Sequence, residues 1–405
     1  MNYNLKQKVF IHTIILSLIY ILFAFTPTEA KEVRGVTSDT ILLGVIADMT
    51  GPTATDISAP LVAALRTYYS SVNDDGGIHG RKIRLLVEDD RYSIPLSFAA
   101  FKKLVFRSKI FALLGPMSSG SALSLIGQIQ KEKVPNICWG LSKRMTIPTK
   151  RYIFAVLGNY DDCVKVMFEY ILNITKMKAP AIAFVYPDVE TGKLGFRAAV
   201  EESKRFDVKL HAEVLNIGAL DATSQVLNLK RAKIKQILVH DTPAAAAVLL
   251  RAAKRMGLDA DFYGTGLATN EDLPELAGSS AEGFVGSNSH NSWYQEGCSG
   301  CAEMEAAMIK HYKKVTYNTK LFSMGWVGAM VLTEGIKKAG RDIDREGLVN
   351  SLNGIKNFDP KNICGPISYS PNDHGGPMYR RLFKTDVNKK RFEGMTDWIK
   401  PPNEG

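Results

Sequence analysis

The 405 residues are 45% apolar and 23% charged, an ordinary globular composition with room for two domains. The net charge is +10, but the basic residues are scattered, as at Lys102-Lys103 and Lys389-Lys390, with no long run and no interleaved aromatics. A nucleic-acid footprint clusters its charge, so that class is set aside.

The first thirty residues differ from the rest. Lys6 and Lys8 precede an apolar stretch over 11–25, and Thr28-Glu29-Ala30 forms a small-x-small site. This is the layout of a secretory signal peptide, and the apolar stretch is short of the roughly 20 residues that span a bilayer. It predicts cleavage near Ala30 and a mature chain that begins near Lys31, in the periplasm. No Cys stands at the cleavage point, so a lipid-anchored start is not indicated. Of the five cysteines, Cys298-Ser299-Gly300-Cys301 is a close pair that reads as a local disulfide in a surface loop. The odd count leaves at least one free thiol.

From residue 38 onward, apolar runs of strand length alternate with helical patterns. The first strand is predicted over 41–47 and ends in Asp48-Met49-Thr50-Gly51-Pro52. A helix over 58–72 stops at the glycine-rich loop Asn73-Asp74-Asp75-Gly76-Gly77-Ile78-His79-Gly80, and a strand over 83–87 leads to Glu88-Asp89-Asp90. After a helix over 95–106, the run 110–114 ends abruptly in Gly115-Pro116-Met117-Ser118-Ser119-Gly120-Ser121, and Ala122, Leu125, Ile126 and Ile129 continue at helical spacing. Such a strand, turn and helix start presents unpaired backbone N–H groups beside small side chains, which suits an anion or carboxylate; Ser118 and Ser119 equally suit a helix cap. A fourth strand over 134–139 precedes the turn Gly140-Leu141-Ser142, and 151–158 reads as a crossing between lobes.

A second series follows, with strands at 181–186, 208–215, 236–240 and 261–264 separated by helices up to Phe206, over 221–233 and over 243–256. Helical patterns resume at 301–314, 321–338 and 345–352, and 367–392 reads as one or two strands with turns. Two such series argue for an α/β chain of two doubly wound parallel-sheet lobes, which bind ligands outside the carboxyl ends of their strands. Gly264-x-Gly266 lacks a third glycine, and no Walker loop, Gly-x-Ser-x-Gly or His-Glu-x-x-His occurs, so cofactors, metals and catalysis are not expected. His79, His290 and His374 read as solvated loop residues.

These residues resemble the leucine/branched-chain amino acid binding proteins of ABC transporters, which are type I periplasmic binding proteins. The likeness rests on Ile46-Ala47-Asp48-Met49-Thr50-Gly51-Pro52, the 73–80 loop with Arg81-Lys82-Ile83, Gly115 to Ser119, Gly140-Leu141-Ser142, Gly192, Tyr263-Gly264-Thr265-Gly266 and Gly365-Pro366-Ile367-Ser368-Tyr369. It implies lobes at 37–155 plus 285–362 and at 156–284 plus 363–405, joined by a three-segment hinge, with the ligand cleft between them. It also implies an extracytoplasmic, monomeric solute-binding component that closes on its ligand and delivers it to membrane permease subunits, or else a ligand-sensing receptor module of the same fold.

Carried over, Ser118 and Ser119 take the ligand carboxylate, and Gly140, Leu141 and Ser142 offer a carbonyl and a hydroxyl. Tyr160, Thr191, Asp241 and Gly266 are the lobe-two candidates. Three departures bear on the ligand. The acid that pairs a ligand ammonium in the family aligns with Gly266, the pocket tyrosine aligns with Thr191, and the aromatic near the Gly-Pro turn is replaced around Asp56. A buried ammonium without a counter-charge is costly. Either Asp241 or Asp188 supplies the acid, or the ligand is an ammonium-free aromatic or aliphatic carboxylate, for which Tyr160 and Trp139 offer aromatic surface.

Overall fold

In a computed structural model the described residues are 33–139, 142–176, 181–313, 317, 319–376 and 379–401. The signal peptide, the cleavage site near Ala30, and Gly140 and Leu141 lie outside them.

Two separate sheets form. Strands β1 (Thr40–Ala47), β2 (Lys82–Asp89), β3 (Ala112–Leu114), β4 (Asn136–Cys138) and β5 (Ile153–Ala155) make the first, all parallel, in the order β2-β1-β3-β4-β5. Its inner strands are buried apolar runs, the pattern of a sheet covered on both faces. Register pairs Val45 with Leu114 and Leu114 with Ile137, which brings the turns after β1, β3 and β4 to one edge.

The second sheet runs β12-β11-β10-β9-β8-β6-β7. Strands β6 (Ala181–Tyr186), β7 (Lys209–Val214), β8 (Gln236–Val239), β9 (Asp261–Gly264) and β10 (Val285–Asn288) are parallel, and β11 (Arg381–Asp386) and β12 (Arg391–Gly394) add antiparallel. One face packs Val226, Leu229, Leu250 and Phe284; the other packs Phe168, Ile171, Phe184 and Leu238. Burying both faces of a parallel sheet is what makes these runs almost continuously apolar.

The helices are α1 (Ala59–Asp74), α2 (Ile94–Lys102), α3 (Ser119–Lys131), α4 (Tyr160–Thr175), α5 (Glu190–Arg205), α6 (Thr223–Arg231), α7 (Pro243–Arg255), α8 (Asp272–Ala277), α9 (Ser299–Tyr312), α10 (Lys320–Ala339) and α11 (Arg345–Asn353). Helix α10 is buried along most of its length, with Phe322, Val327, Val331 and Leu332 inaccessible, which explains its nearly uniform apolar composition. No helix among the described residues is long and apolar enough to cross a membrane.

The strand pairing corrects three expectations. The stretch read as a crossing at 151–158 contains the edge strand β5. Val285–Asn288, placed in lobe one, is β10 of the second sheet, so that crossing follows Asn288. Tyr369 and His374, placed in lobe two, pack on β5: the Tyr369 hydroxyl donates to Ala155 O at 2.6 Å, and the His374 ring stacks on Phe154. The chain therefore passes to the second sheet after residue 376. Crossing segments pair with each other at His290 and Cys364, and Asn291 N donates to Ile363 O at 2.7 Å. Both His290 and His374 are buried, not solvated.

Candidate functional site

Between the carboxyl edges of the two sheets lies a cavity of about 240 Å³, below the roughly 300–1,000 Å³ of sites for drug-sized ligands. In each sheet the strand order reverses at the cavity: between β1 and β3 in one, and between β6 and β8 in the other. That is the crevice where open α/β sheets bind.

The lobe-one side is built from two turns. Asp48 closes the first, its carboxylate accepting from Gly51 N at 2.5 Å and from Thr53 N and Oγ1 at 2.8 Å, which sets Pro52 and Thr53 in the wall. The second follows β3. Gly115 sits at φ +101°, and a Cβ there would stand 2.5 Å from Ile46 O, so only glycine allows the chain to turn this close to β1. Ser118 then caps α3, its Oγ accepting from Ser121 N at 3.1 Å, while Ser118 and Ser119 both line the cavity. The cap thus also forms part of the cavity wall. Backbone N–H groups and the positive end of α3 favour an anion here. Trp139 lines the wall with its Nε1 donating to Met324 O at 3.1 Å, and Leu61 of α1 and Leu321 of α10 extend the apolar surface.

Of the lobe-two candidates, Tyr160, Thr191, Asp241 and Gly266 all line the cavity, each next to a strand end or at the start of a helix. Tyr160 opens α4 behind Asn159, whose side chain caps it. Its hydroxyl stands 3.4 Å from Ser119 Oγ across the cleft, and burial pushes the phenol well up. Burial also raises Tyr92 of lobe one, opposed by a hydrogen bond with the Thr191 side chain. Thr191 O and Thr265 Oγ1 hold the two ring nitrogens of buried His240, at 3.2 and 2.8 Å. Burial depresses that imidazole to about 4, so it is neutral at pH 7. Asp241 Oδ1 accepts from Thr242 N at 2.6 Å, its Oδ2 has no partner among the described residues, and burial raises the carboxyl to about 7.

Ser142 is buried but does not reach the cavity; its Oγ accepts from Arg144 N at 3.3 Å and caps a short turn. Asp188 lies outside as well, in an exposed ion pair with Lys193. Asp56 is in the wall but exposed. Cys298 and Cys301 are bonded, and both are buried at the start of α9, not in a surface loop. Cys138, Cys163 and Cys364 are buried and lie outside any disulfide.

Sequence reasoning missed Lys320, Arg380 and Asn288, which line the same cavity. Arg380 donates through Nη2 to Asn159 O at 2.8 Å, with Nε unpartnered among the described residues. Lys320 donates through Nζ to Gly266 O, to Thr269 O and to Asn288 Oδ1. Burial lowers Lys320 and raises nearby Glu271, each charge opposing the shift of the other. Lys320 opens a helix, where a lysine ordinarily faces water, and nothing in its local sequence sets it apart. No group of three or more His, Cys, Asp or Glu is placed to hold a metal among the described residues.

A family model described as "Periplasmic binding protein" matches residues 40–391. The Leu/Ile/Val-binding protein homolog 1 of Brucella melitensis is 23% identical over 355 residues, spanning 84% of this chain and 90% of that protein. A leucine-, isoleucine-, valine-, threonine- and alanine-binding protein of Pseudomonas aeruginosa is 24% identical over 267 residues, 65% of this chain and 70% of that protein. Among solved structures, a branched-chain amino acid ABC transporter protein from Thermus thermophilus with bound valine superposes with a TM-score of 0.83 at 23% identity, covering 90% of this chain and 97% of that one. A fatty acid ABC transporter substrate-binding protein from Thermomonospora curvata superposes with a TM-score of 0.79 at 21% identity, covering 92% and 96%.

Proposed function

The chain belongs to the periplasmic binding protein family, a family of solute-binding proteins; we propose that it is a substrate-binding component of ABC transport whose cleft captures a small carboxylate by hinge closure. The observation that supports this reading is the position of Ser118 and Ser119. Two nearly buried hydroxyl residues at the start of α3 face a cavity walled by both lobes. There the unpaired N–H groups of the first helical turn and the Ser119 hydroxyl are donors for a carboxylate.

The order of events follows from the walls. Lobe one offers the donor-rich turn and the Trp139 and Leu61 surface, so the ligand docks there first. Lobe two then brings Tyr160, Thr191, Asp241 and Gly266 across, excluding water and strengthening each polar contact. Closure presents a continuous two-lobe surface to membrane permease subunits, and part of the binding free energy is used in populating that state. The secreted chain works outside the cytoplasm as a monomer, after cleavage near Ala30, and turns nothing over.

A thermal-shift screen of the secreted protein against branched-chain amino acids, amides, urea, and aromatic and aliphatic carboxylates tests the reading. A ligand at about a hundred times its dissociation constant adds roughly 2.7 kcal/mol, enough for a clear rise in Tm. Carboxylates raising Tm supports the proposal; a response to amides or urea but to no carboxylate overturns it.

A further inference from the structure

A cation from the start of the lobe-one helix α10 reaches across to the lobe-two wall. Lys320 is 2% exposed and lines the cavity, and its Nζ reaches Gly266 O, Thr269 O at 2.5 Å and Asn288 Oδ1 at 2.8 Å. An ammonium has three N–H donors, so these three acceptors satisfy it completely. They come from the turn after β9 and the end of β10, on the lobe that faces Ser118 and Ser119. Gly266 is used at both ends, since its N–H also donates to Cys163 Sγ at 3.1 Å.

A ligand ammonium arriving at this wall would meet a like charge and acceptors that are already engaged. The remaining charges in the cavity wall offer little compensation. Arg380 is a second cation, and Asp56 is exposed to solvent. Asp241 is buried, and burial holds much of its carboxyl protonated at neutral pH. Glu271 accepts from Lys320 N at 3.0 Å and is not part of the cavity wall. The wall as a whole therefore suits an anion with an apolar body, and Trp139, Tyr160, Leu61 and Leu157 supply the apolar contact.

We propose that Lys320 is a resident ammonium standing where a ligand ammonium would have to bind, so that the cleft selects carboxylates that carry no ammonium beside the carboxylate. The inference rests on the carboxylate reading of Ser118 and Ser119.

Titration calorimetry on the purified secreted protein with two matched pairs tests it: L-leucine against 4-methylpentanoate, and L-phenylalanine against 3-phenylpropanoate. At least one ammonium-free member is expected to bind tenfold or more tighter than its amino acid. Equal or tighter binding of the amino acid in both pairs overturns the inference and leaves the carboxylate reading standing. Silence from all four compounds overturns both. Lys320→Met keeps the apolar stem and frees the three acceptors, so a folded variant should lose the preference, with the amino acid gaining relative to its partner. A preference that persists unchanged in folded K320M removes Lys320 from the explanation. Where K320M does not fold, the wild-type pairs still decide whether the cleft discriminates against the ammonium.

Discussion

Ser119 Oγ on one lobe stands 3.4 Å from Tyr160 Oη on the other, the two belonging to the first turns of helices α3 and α4. Both residues line the cavity, so the pair marks the line along which the lobes meet. Ser119→Ala removes a hydroxyl donor from an anion and should weaken 4-methylpentanoate or 3-phenylpropanoate binding by about 1–3 kcal/mol. Tyr160→Phe removes a longer, neutral contact and should cost about 1 kcal/mol or less. Calorimetry on both variants checks this order, and an S119A protein with wild-type affinity would move the site away from α3.

Two glycines beside the cavity differ in what they tolerate. Gly115 has φ +101°, and a Cβ there would lie 2.5 Å from Ile46 O. Gly115→Ala should destabilise the protein by about 1–3 kcal/mol or more. A Cβ on Gly266 would meet Ser287 O at 3.5 Å and Asn288 Oδ1 at 3.6 Å, ordinary contact distances. Gly266→Ala should stay within about 1 kcal/mol of wild type. Denaturant unfolding of both variants measures the difference, and comparable losses would show that the turn after β3 is less constrained than its geometry implies.

Burial raises Asp241 from 3.8 to about 7 in the folded chain. Between those values the folded chain holds a proton that the unfolded chain releases. The stabilising contribution is therefore complete below about pH 3.8 and is lost as pH rises toward 7. Asp241→Asn does not titrate, so the stability of wild type minus that of D241N should fall across this window. His240, depressed from 6.5 to about 4, acts in the opposite direction: its contribution is present above 6.5 and is lost as pH falls. Both proteins carry His240, so it cancels in the difference. Unfolding curves at several pH values supply the measurement; a flat difference would mean that Asp241 is ionised throughout.

The Cys298–Cys301 bond closes a loop with a sequence separation of only 3. Chain-entropy reasoning limits its effect to about 2 kcal/mol for so short a loop. Mild reductant, or the C298S/C301S double variant, should lower Tm by a few degrees while leaving ligand affinity intact. A collapse of the fold on reduction would assign the bond a larger role, through the burial of both sulfurs at the start of α9.

Much of the fold was legible in the chain because parallel strands buried on both faces cannot hide. The runs 41–47, 181–186 and 236–240 correspond to β1, β6 and β8 within a residue. Short strands were not legible: the edge strand β5 and the interior strand β10 span only three and four residues and carry no distinctive pattern. Helix α8 is six residues long and was missed for the same reason. The loop histidines were misjudged because loop position says little about depth, and His290 and His374 are buried where crossing segments fold back on one another.

The amino-acid sequence alone determined two βα series and strand-end turns rich in small residues, such as Gly115 to Ser119, while Tyr160, Thr191, Asp241 and Gly266 were singled out through the family resemblance. Those features are local, set by hydrophobic period, glycine placement and capping chemistry. Only the tertiary structure decided which charges face the ligand. Lys320 lies 54 residues from Gly266 along the chain and touches its carbonyl, while Asp188, an acid with an equal claim in the sequence, points into solvent. The sign and placement of a buried charge depend on which distant backbone groups close around it, and that is settled only when the two lobes are packed.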